Sequence, residues 1–145
     1  MKILEAFGEP ISYGGQESFV VNLIQHMDLD GFQLDFLTPY YCNNNYYCNI
    51  ARNFGGKIYV LGENFQPGKS RFNINKGINN FFKINHYDVV HIHSGSISIL
   101  GIIAYYAKKN GVKKVIVHSH SSIEKKSLRN FILKICCSVF FEKEC

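Results

Sequence analysis

Residues 88–122 read DVVHIHSGSISILGIIAYYAKKNGVKKVIVHSHSS, and this stretch decides the fold. Near-continuous Val and Ile runs at 89–92 and 115–117 flank a segment of helical length that stops at Gly111. Such runs are typical of strands buried on both faces of a parallel sheet, where a crossover helix must connect successive strands. We therefore predict strands at Asp88–His93 and Lys114–His118, joined by a helix at Ile97–Asn110.

The same alternation extends to the rest of the chain. Further strands are predicted at Met1–Phe7, Phe32–Thr38 and Lys57–Leu61, further helices at Gln16–Met27, Ser70–Asn85 and Ser127–Phe141, and a polar, aromatic loop at Tyr40–Tyr47. This pattern predicts an α/β Rossmann-like domain, a parallel sheet with helices on both faces. Ligands of such sheets bind beyond the carboxyl ends of the strands. The loops to search follow Phe7, Thr38, His93 and His118.

Composition narrows the class of protein further. With 145 residues and 46% hydrophobic content, the chain is predicted to form one globular domain with a core of its own. Five cysteines without a C-x-x-C pair argue against a disulfide framework and a zinc knuckle, and favour a reducing cytosol. The longest nearly apolar run, Ile97–Ala107, is too short to span a bilayer. We expect a soluble, cytoplasmic protein.

The net charge of +5 is concentrated in the last third of the chain. Residues 101–145 carry nine basic and three acidic side chains, whereas residues 1–100 carry seven and eight. This excess can contact an anionic membrane leaflet, or it can be a solvated face. Nucleic acid is not expected, because the basic residues are not interleaved with aromatic ones in any known module. The basic residues in question are Lys108, Lys109, Lys113, Lys114, Lys125, Lys126 and Arg129.

A glycine pair precedes the first predicted helix. The segment GEPISYGGQE at residues 8–17 is neither a dinucleotide-binding G-x-G-x-x-G motif nor a Walker A motif. Gly14 and Gly15 still leave backbone N–H groups bare at a helix N-terminus, where a phosphate or carboxylate can approach. The alternative is that the two glycines only form a tight turn.

Four histidines lie in pairs at two strand ends, His91 with His93 and His118 with His120. Residues two apart on a strand share a face, so the pairs should meet if the strands are neighbours. The cluster can be a zinc site or a polar pocket for sugar hydroxyls and phosphates. Hydrolase metal sites normally include carboxylates, and the only nearby one, Asp88, starts its strand. The pocket is therefore favoured, with His91 buried and structural and the other three histidines available to a ligand.

Three motifs together resemble the N-terminal domain of a family 4 retaining glycosyltransferase of the GT-B fold. They are Gly14-Gly15-Gln16-Glu17 after a first strand, DVVHIHS at 88–94 and KVIVHSHSS at 114–122. The resemblance runs from Met1 to about Phe141, and bacterial capsular and exopolysaccharide members are the most similar in appearance.

The resemblance implies a transferase of two Rossmann-like domains, in which the N-terminal domain mainly binds the acceptor. It implies that Gly14 and Gly15 lie beside the donor diphosphate and sugar, and that His118 is catalytic. A UDP- or GDP-sugar is implied as co-substrate, with no bound metal or other cofactor. The implied acceptor is a saccharide or a lipid-linked saccharide at the inner face of the plasma membrane. Residues implied on the acceptor side are Gln16, Glu17, His93, Ser94, His120 and Ser121.

The chain departs from the family by ending at Cys145. We therefore expect a single domain at 1–145, truncated before the donor domain and inactive alone, because transition-state stabilisation needs both walls of the cleft. One alternative is a stand-alone Rossmann-like binding module without catalysis. A metal-dependent hydrolase is the third interpretation.

Overall fold

A computed structural model describes residues 1–67 and 72–120 as alternating strands and helices. The strands are β1 (Lys2–Phe7), β2 (Gln33–Thr38), β3 (Ile58–Val60), β4 (Val89–Ser94) and β5 (Lys114–Ser119). The helices are α1 (Gly15–Gln25), α2 (Asn45–Asn53), α3 (Ile74–Ile84) and α4 (Ile97–Lys109). The helix predicted at Ser127–Phe141 and the site residue Ser121 lie outside the described residues.

The five strands form one parallel sheet in the order β3-β2-β1-β4-β5. The predicted Rossmann-like α/β class is confirmed. Strand order reverses between β1 and β4, and in open α/β sheets the crevice at such a reversal is where ligands bind. The carboxyl ends of β1 and β4 therefore mark the region in which functional residues should be sought.

Helices cover both faces of the sheet, as predicted. On β1, Ile3 and Phe7 belong to the core cluster that contains residues of α1 and α2, on what we call the α1 face. Leu4 and Ala6 belong to the cluster on the opposite face, which contains residues of α3 and α4. Alternate residues of a strand thus supply two separate cores, as the period of two in side-chain direction requires. No helix among the described residues has the length and apolar character needed to cross a membrane.

The prediction of a loop at Tyr40–Tyr47 is wrong from Asn45 onward, because α2 begins there. Asn44 caps this helix by accepting a 3.0 Å hydrogen bond from the backbone N–H of Tyr46. Tyr47, Ile50 and Ala51 are buried along one side of α2 and contribute to the core of the α1 face. Helix formation here follows from capping and burial, because Asn and Tyr have only modest intrinsic helix propensity.

A buried carboxylate, Asp35 of β2, is held near the amino ends of the strands, away from their carboxyl ends. It accepts 2.8 Å hydrogen bonds from the Tyr87 hydroxyl and the Lys57 backbone N–H, and lies 3.4 Å from Lys2 Nζ. Burial and the hydrogen bond to Asp35 raise the pKa of Tyr87, so its hydroxyl remains a donor. This cluster fixes the end of the domain that is distant from the candidate site.

Candidate functional site

The carboxyl ends of β1 and β4 stay joined one residue beyond β1. The backbone N–H of Gly8 donates a 2.7 Å hydrogen bond to the carbonyl oxygen of His93. A Cβ atom on Gly8 would lie 2.6 Å from Cβ of Ser94 and 2.7 Å from Cγ2 of Ile99. Gly8 is therefore required for the close approach of the two strand ends, a role that the sequence analysis did not assign.

The turn of Gly14 and Gly15 leads directly into α1. Gly14 is the N-cap residue with φ of −152°, and its carbonyl oxygen accepts hydrogen bonds from the Ser18 backbone N–H and hydroxyl. A Cβ atom on Gly15 would have no heavy atom within 4 Å apart from its immediate neighbours. A side chain at the first residue of the helix would therefore point into open space, and a helix N-terminus can attract an anion.

Glu17 turns back toward the loop that precedes α1. Its Oε1 accepts a 2.9 Å hydrogen bond from the Ser12 backbone N–H, and the residue is 8% exposed. A Cβ atom on Gly14 would lie 2.9 Å from Oε2 of Glu17, so a side chain there would require the carboxylate to shift. The carboxylate thus stabilises the positive end of the helix dipole. Its observed role is in the loop and helix start.

Glu9 links two of the predicted acceptor residues and was missed in the sequence. One of its carboxylate oxygens accepts from Gln16 Nε2 at 3.1 Å, and the other accepts from the Ser94 hydroxyl at 2.9 Å. Its carbonyl oxygen accepts from Thr38 Oγ1 at 2.9 Å. Among the described residues, the buried Oε1 of Gln16 has no hydrogen-bond partner. This oxygen can accept a hydrogen bond from the hydroxyl of a ligand that reaches it.

The two histidine pairs meet on the α1 face of the sheet, as predicted. In the strand register, Glu5 of β1 lies opposite His91 of β4, and His93 lies opposite His118 of β5. The ring centroids of His91, His93 and His118 are 4.0 to 6.0 Å apart. Glu5 lies two residues after Ile3 on β1, and the three histidines are in register with this alternation. The four side chains therefore share the face to which Ile3 points.

Glu5 is the second residue that sequence analysis missed. Its Oε2 lies 2.7 Å from Nε2 of His93 and 3.2 Å from Nδ1 of His91. Burial acts to raise the pKa of Glu5, but the hydrogen bonds with the two histidines outweigh it and hold the pKa below the ordinary value. Burial lowers the pKa of His93 despite the carboxylate. The pair is therefore an ionised carboxylate with a neutral imidazole at neutral pH.

His93 lies within the sheet, although it was expected on the acceptor side. It has no exposed surface, because the rings of Phe7 and Phe19 approach it to 5.6 and 6.0 Å. Its Nδ1 lies 3.2 Å from Nε2 of His120, which is half-buried at the end of β5. The ring of His93 is therefore shielded from solvent, and its Nδ1 lies next to His120. His91 is buried, as predicted.

His118 and His120 form the accessible edge of the cluster. Their rings stack at 4.5 Å with an interplanar angle of 9°, and both residues are half-buried. Phe19 of α1 contacts the His118 ring edge-on at 4.4 Å. Burial, followed by the neighbouring His93 and His118, lowers the pKa of His120 to about 4. A neutral imidazole donates one hydrogen bond and accepts another, which suits it to polar ligands at neutral pH.

A cleft of about 570 Å³ lies on the other flank of α1, between α1 and α2. Its walls carry phenol, amide and carboxylate groups, a combination that suits saccharides because aromatic faces and hydrogen-bonding groups alternate. Tyr47 donates its hydroxyl to the carbonyl oxygen of Glu17 and is held in place. The cleft is lined among others by Tyr13, Glu17, Asn22, Asn44, Tyr46 and Tyr47.

Comparisons with known proteins place this geometry in a family. Residues 13–139 match the family model of Glycosyltransferase Family 4. The chain belongs to glycosyltransferase family 4. No match was found among curated protein sequences. This family 4 chain also resembles in fold the crystal structure of the C-terminal domain of a Pyrococcus furiosus hydrogenase, at 12% identity and a TM-score of 0.53. That match covers 81% of this chain and 90% of the other, and it reports on the fold alone.

The site residues predicted from the sequence fall into three groups. Gln16 and Ser94 meet through Glu9 in the crevice between β1 and β4. His118 and His120 lie at the end of β5, against the helix that follows Gly14 and Gly15. Glu17 and His93 are buried, and Glu17 also lines the cleft between α1 and α2. A carboxylate in an otherwise apolar strand, as in Leu4-Glu5-Ala6, is the sequence signal that could have identified Glu5.

Proposed function

We propose that this chain is the acceptor-binding half of a retaining glycosyltransferase. In this proposal, a sugar passes from a UDP- or GDP-sugar to a saccharide or lipid-linked acceptor during synthesis of a surface polysaccharide, of capsular or exopolysaccharide type. Membership of family 4 supports sugar transfer in general. The observation that carries the proposal is the contact between Phe19 and His118 at 4.4 Å, which makes α1 and the end of β5 one wall.

The donor is proposed to bind where the N-terminus of α1 faces open space. The bare N–H groups around Gly15 and the helix dipole favour the diphosphate as negative charge develops on it. The half-buried ring of His118 can then hydrogen-bond the transferred sugar. These interactions use no metal ion. The donor domain that completes the cleft is proposed to contribute the groups that choose between UDP and GDP.

The acceptor is proposed to enter the crevice beside β4. Gln16 Oε1 has no partner among the described residues and can accept a hydrogen bond from a hydroxyl of the incoming saccharide. Ser94, held by Glu9, and His120 add polar contacts on either side. Ser121, which lies outside the described residues, is proposed to extend this surface. A lipid-linked acceptor would place the enzyme at the inner face of the plasma membrane.

Activity should be tested in the enzyme that carries both the acceptor and the donor half. Transfer from UDP- and GDP-sugars to the membrane lipid fraction would be measured, together with the anomeric configuration of the product. We expect His118→Ala to lower kcat by about 10²-fold or more, since its contact strengthens in the transition state. Gly15→Val should raise KM for the donor, because its side chain fills the space next to the helix N-terminus.

Two matched variants separate chemistry from folding. His86→Ala alters an exposed histidine outside the cluster and should leave kcat and KM unchanged. His91→Ala alters a buried residue and should lower stability more than it alters kcat of the folded fraction. Wild-type turnover and donor affinity in a folded His118→Ala enzyme would remove His118 from the active centre.

A stand-alone binding module is the second candidate, and the cleft between α1 and α2 favours it. The cleft is lined by residues of α1, of the loop before it and of the start of α2, whereas the proposed reaction centre needs a second domain. Saccharide binding without any sugar transfer by the two-domain protein would favour this candidate.

A further inference from the structure

We propose that His91, His93 and His118 bind a Zn²⁺ ion on the α1 face of the sheet. One ring nitrogen from each of the three residues lies within 4.8 Å of those of the other two. Imidazole nitrogen is the commonest protein ligand of zinc, and three such ligands can hold it while a position stays open. This inference concerns metal binding by the chain itself and does not depend on the proposed sugar transfer.

The strand register brings the three imidazoles together. His91 and His93 lie two residues apart on β4 and therefore share a face. His118 lies directly opposite His93 on β5. Two neighbouring parallel strands thus supply three nitrogens from fixed backbone positions, and the third is on the half-buried side where an ion can enter.

Glu5 prepares two of the imidazoles for an ion. Its Oε2 accepts hydrogen bonds from Nε2 of His93 and Nδ1 of His91. Those nitrogens carry the protons, so the lone pairs of the two rings lie on Nδ1 of His93 and Nε2 of His91. A carboxylate that orients a ligating histidine through its other ring nitrogen is the usual second sphere of a zinc site.

The three nitrogens, which lie up to 4.8 Å apart, must draw together to hold an ion. Two nitrogens bound to one tetrahedral zinc lie about 3.3 Å apart, given zinc–nitrogen distances of 2.0 to 2.1 Å. Nδ1 of His93 and Nε2 of His120 already lie 3.2 Å apart, so His120 can become a fourth ligand. The ring of His118 is half-buried and can rotate toward the others, whereas His91 and His93 are held by Glu5.

A carboxylate does accompany the histidines, although Asp88, the one nearby in the sequence, begins its strand. Glu5, distant in sequence, enters the cluster through the pairing of β1 with β4. Glu5 is only 4% exposed, and its negative charge is therefore buried close to the proposed ion.

Zinc bound here would occupy a nitrogen of His118. If His118 contacts the donor sugar, as in the proposed function, zinc would then inhibit transfer. Binding is therefore measured separately from activity, so that failure of one proposal is distinguishable from failure of the other.

The experiment is a titration of the full-length protein with Zn²⁺ by calorimetry and with Co²⁺ by visible absorption. We expect a cobalt spectrum typical of four- or five-coordinate histidine ligation, displaced by zinc, and a rise in Tm with added zinc. His118→Ala should remove the cobalt spectrum. Glu5→Gln should weaken zinc binding by about 10- to 100-fold, the usual effect of losing a second-sphere partner.

His86→Ala is the matched control, because it removes an exposed imidazole elsewhere and should leave the cobalt spectrum unchanged. Circular dichroism would verify that each variant is folded. If His118→Ala does not fold, Glu5→Gln alone decides the question by its zinc affinity. The inference is overturned if wild-type protein shows no histidine-type cobalt spectrum, or if folded His118→Ala and Glu5→Gln bind metal as the control does.

Discussion

The hydroxyl of Tyr87 donates a 2.8 Å hydrogen bond to Oδ2 of Asp35, which lies 52 residues earlier in the sequence. Asp35 has no exposed surface, and Tyr87 is 6% exposed. The bond joins the segment before β4 to β2 across the sheet. It therefore stabilises the tertiary structure at the amino ends of the strands, opposite the candidate site.

Tyr87→Phe should lower the free energy of unfolding by about 2 kcal/mol, because a buried carboxylate loses a hydrogen-bond donor. Urea denaturation followed by circular dichroism measures this change. Tyr13→Phe removes a hydroxyl from a residue that is 79% exposed and should change stability by less than about 0.5 kcal/mol. Equal stability of the two variants would show that the buried hydrogen bond contributes nothing.

Gly56→Ala should destabilise the domain through a clash with the backbone. A Cβ atom on Gly56 would lie 1.8 Å from the carbonyl oxygen of Leu34, which cannot move without disturbing β2. We expect a loss of about 2 kcal/mol or more, read from the shift in Tm. Gly15→Ala is the control, since its Cβ meets no atom within 4 Å. A Tm for Gly56→Ala at or above that of the control would contradict the prediction.

Tyr46→Ala tests whether the cleft between α1 and α2 holds part of the acceptor. Tyr46 is 47% exposed and lines the cleft, so its removal deletes an aromatic face without opening the core. In the proposed two-domain enzyme, KM for the acceptor should rise more than KM for the donor, because Tyr46 lies on α2 and the proposed donor site lies at the N-terminus of α1. Tyr105→Ala removes a comparably exposed ring from α4 and should alter neither value. Identical acceptor kinetics for both variants would exclude the cleft from acceptor binding.

The basic residues at the junction of α4 and β5 provide a test for membrane contact. Lys113 and Lys114 are exposed, and each Lys near an anionic surface contributes about 1 kcal/mol. Replacing both with Gln should weaken sedimentation with anionic vesicles by roughly 30-fold at low salt. The matched change at Lys76 and Lys83 of α3 should have a smaller effect. Equal binding of wild-type protein to neutral and anionic vesicles would identify the charge excess as a solvated face.

The sequence predicted the sheet better than the site. Valine and isoleucine runs locate β4 and β5 to within a residue. In β4 the run reflects burial on both faces, whereas every residue of β5 is exposed or half-buried. Helix α2 escaped prediction because its first residues, Asn45, Tyr46 and Tyr47, have turn-like composition. Its stability comes from the Asn44 cap and from burial of Tyr47, which composition does not report.

The convergence of the histidines was predictable, and their chemistry was not. Parity along a strand places His91 with His93 on one face, and helical crossovers make β4 and β5 neighbours. The roles of Glu5 and Glu9 could not be assigned, because their partners on β4, His93 and Ser94, are 88 and 85 residues away in sequence and depend on strand register. Register is a tertiary property and appears in no local pattern.

The division of the core between two faces sets an order for assembly during synthesis. Every fully buried member of the α1-face cluster, from Ile3 to Ala51, belongs to the first 51 residues. A ribosome that has released only this part has already supplied the buried apolar groups for that face. Glu5 is present from the first residues, yet His93 follows 88 positions later. Until β4 leaves the exit tunnel, the nascent chain must keep this carboxylate hydrated, so the paired, buried state of Glu5 can form only at a late stage of synthesis.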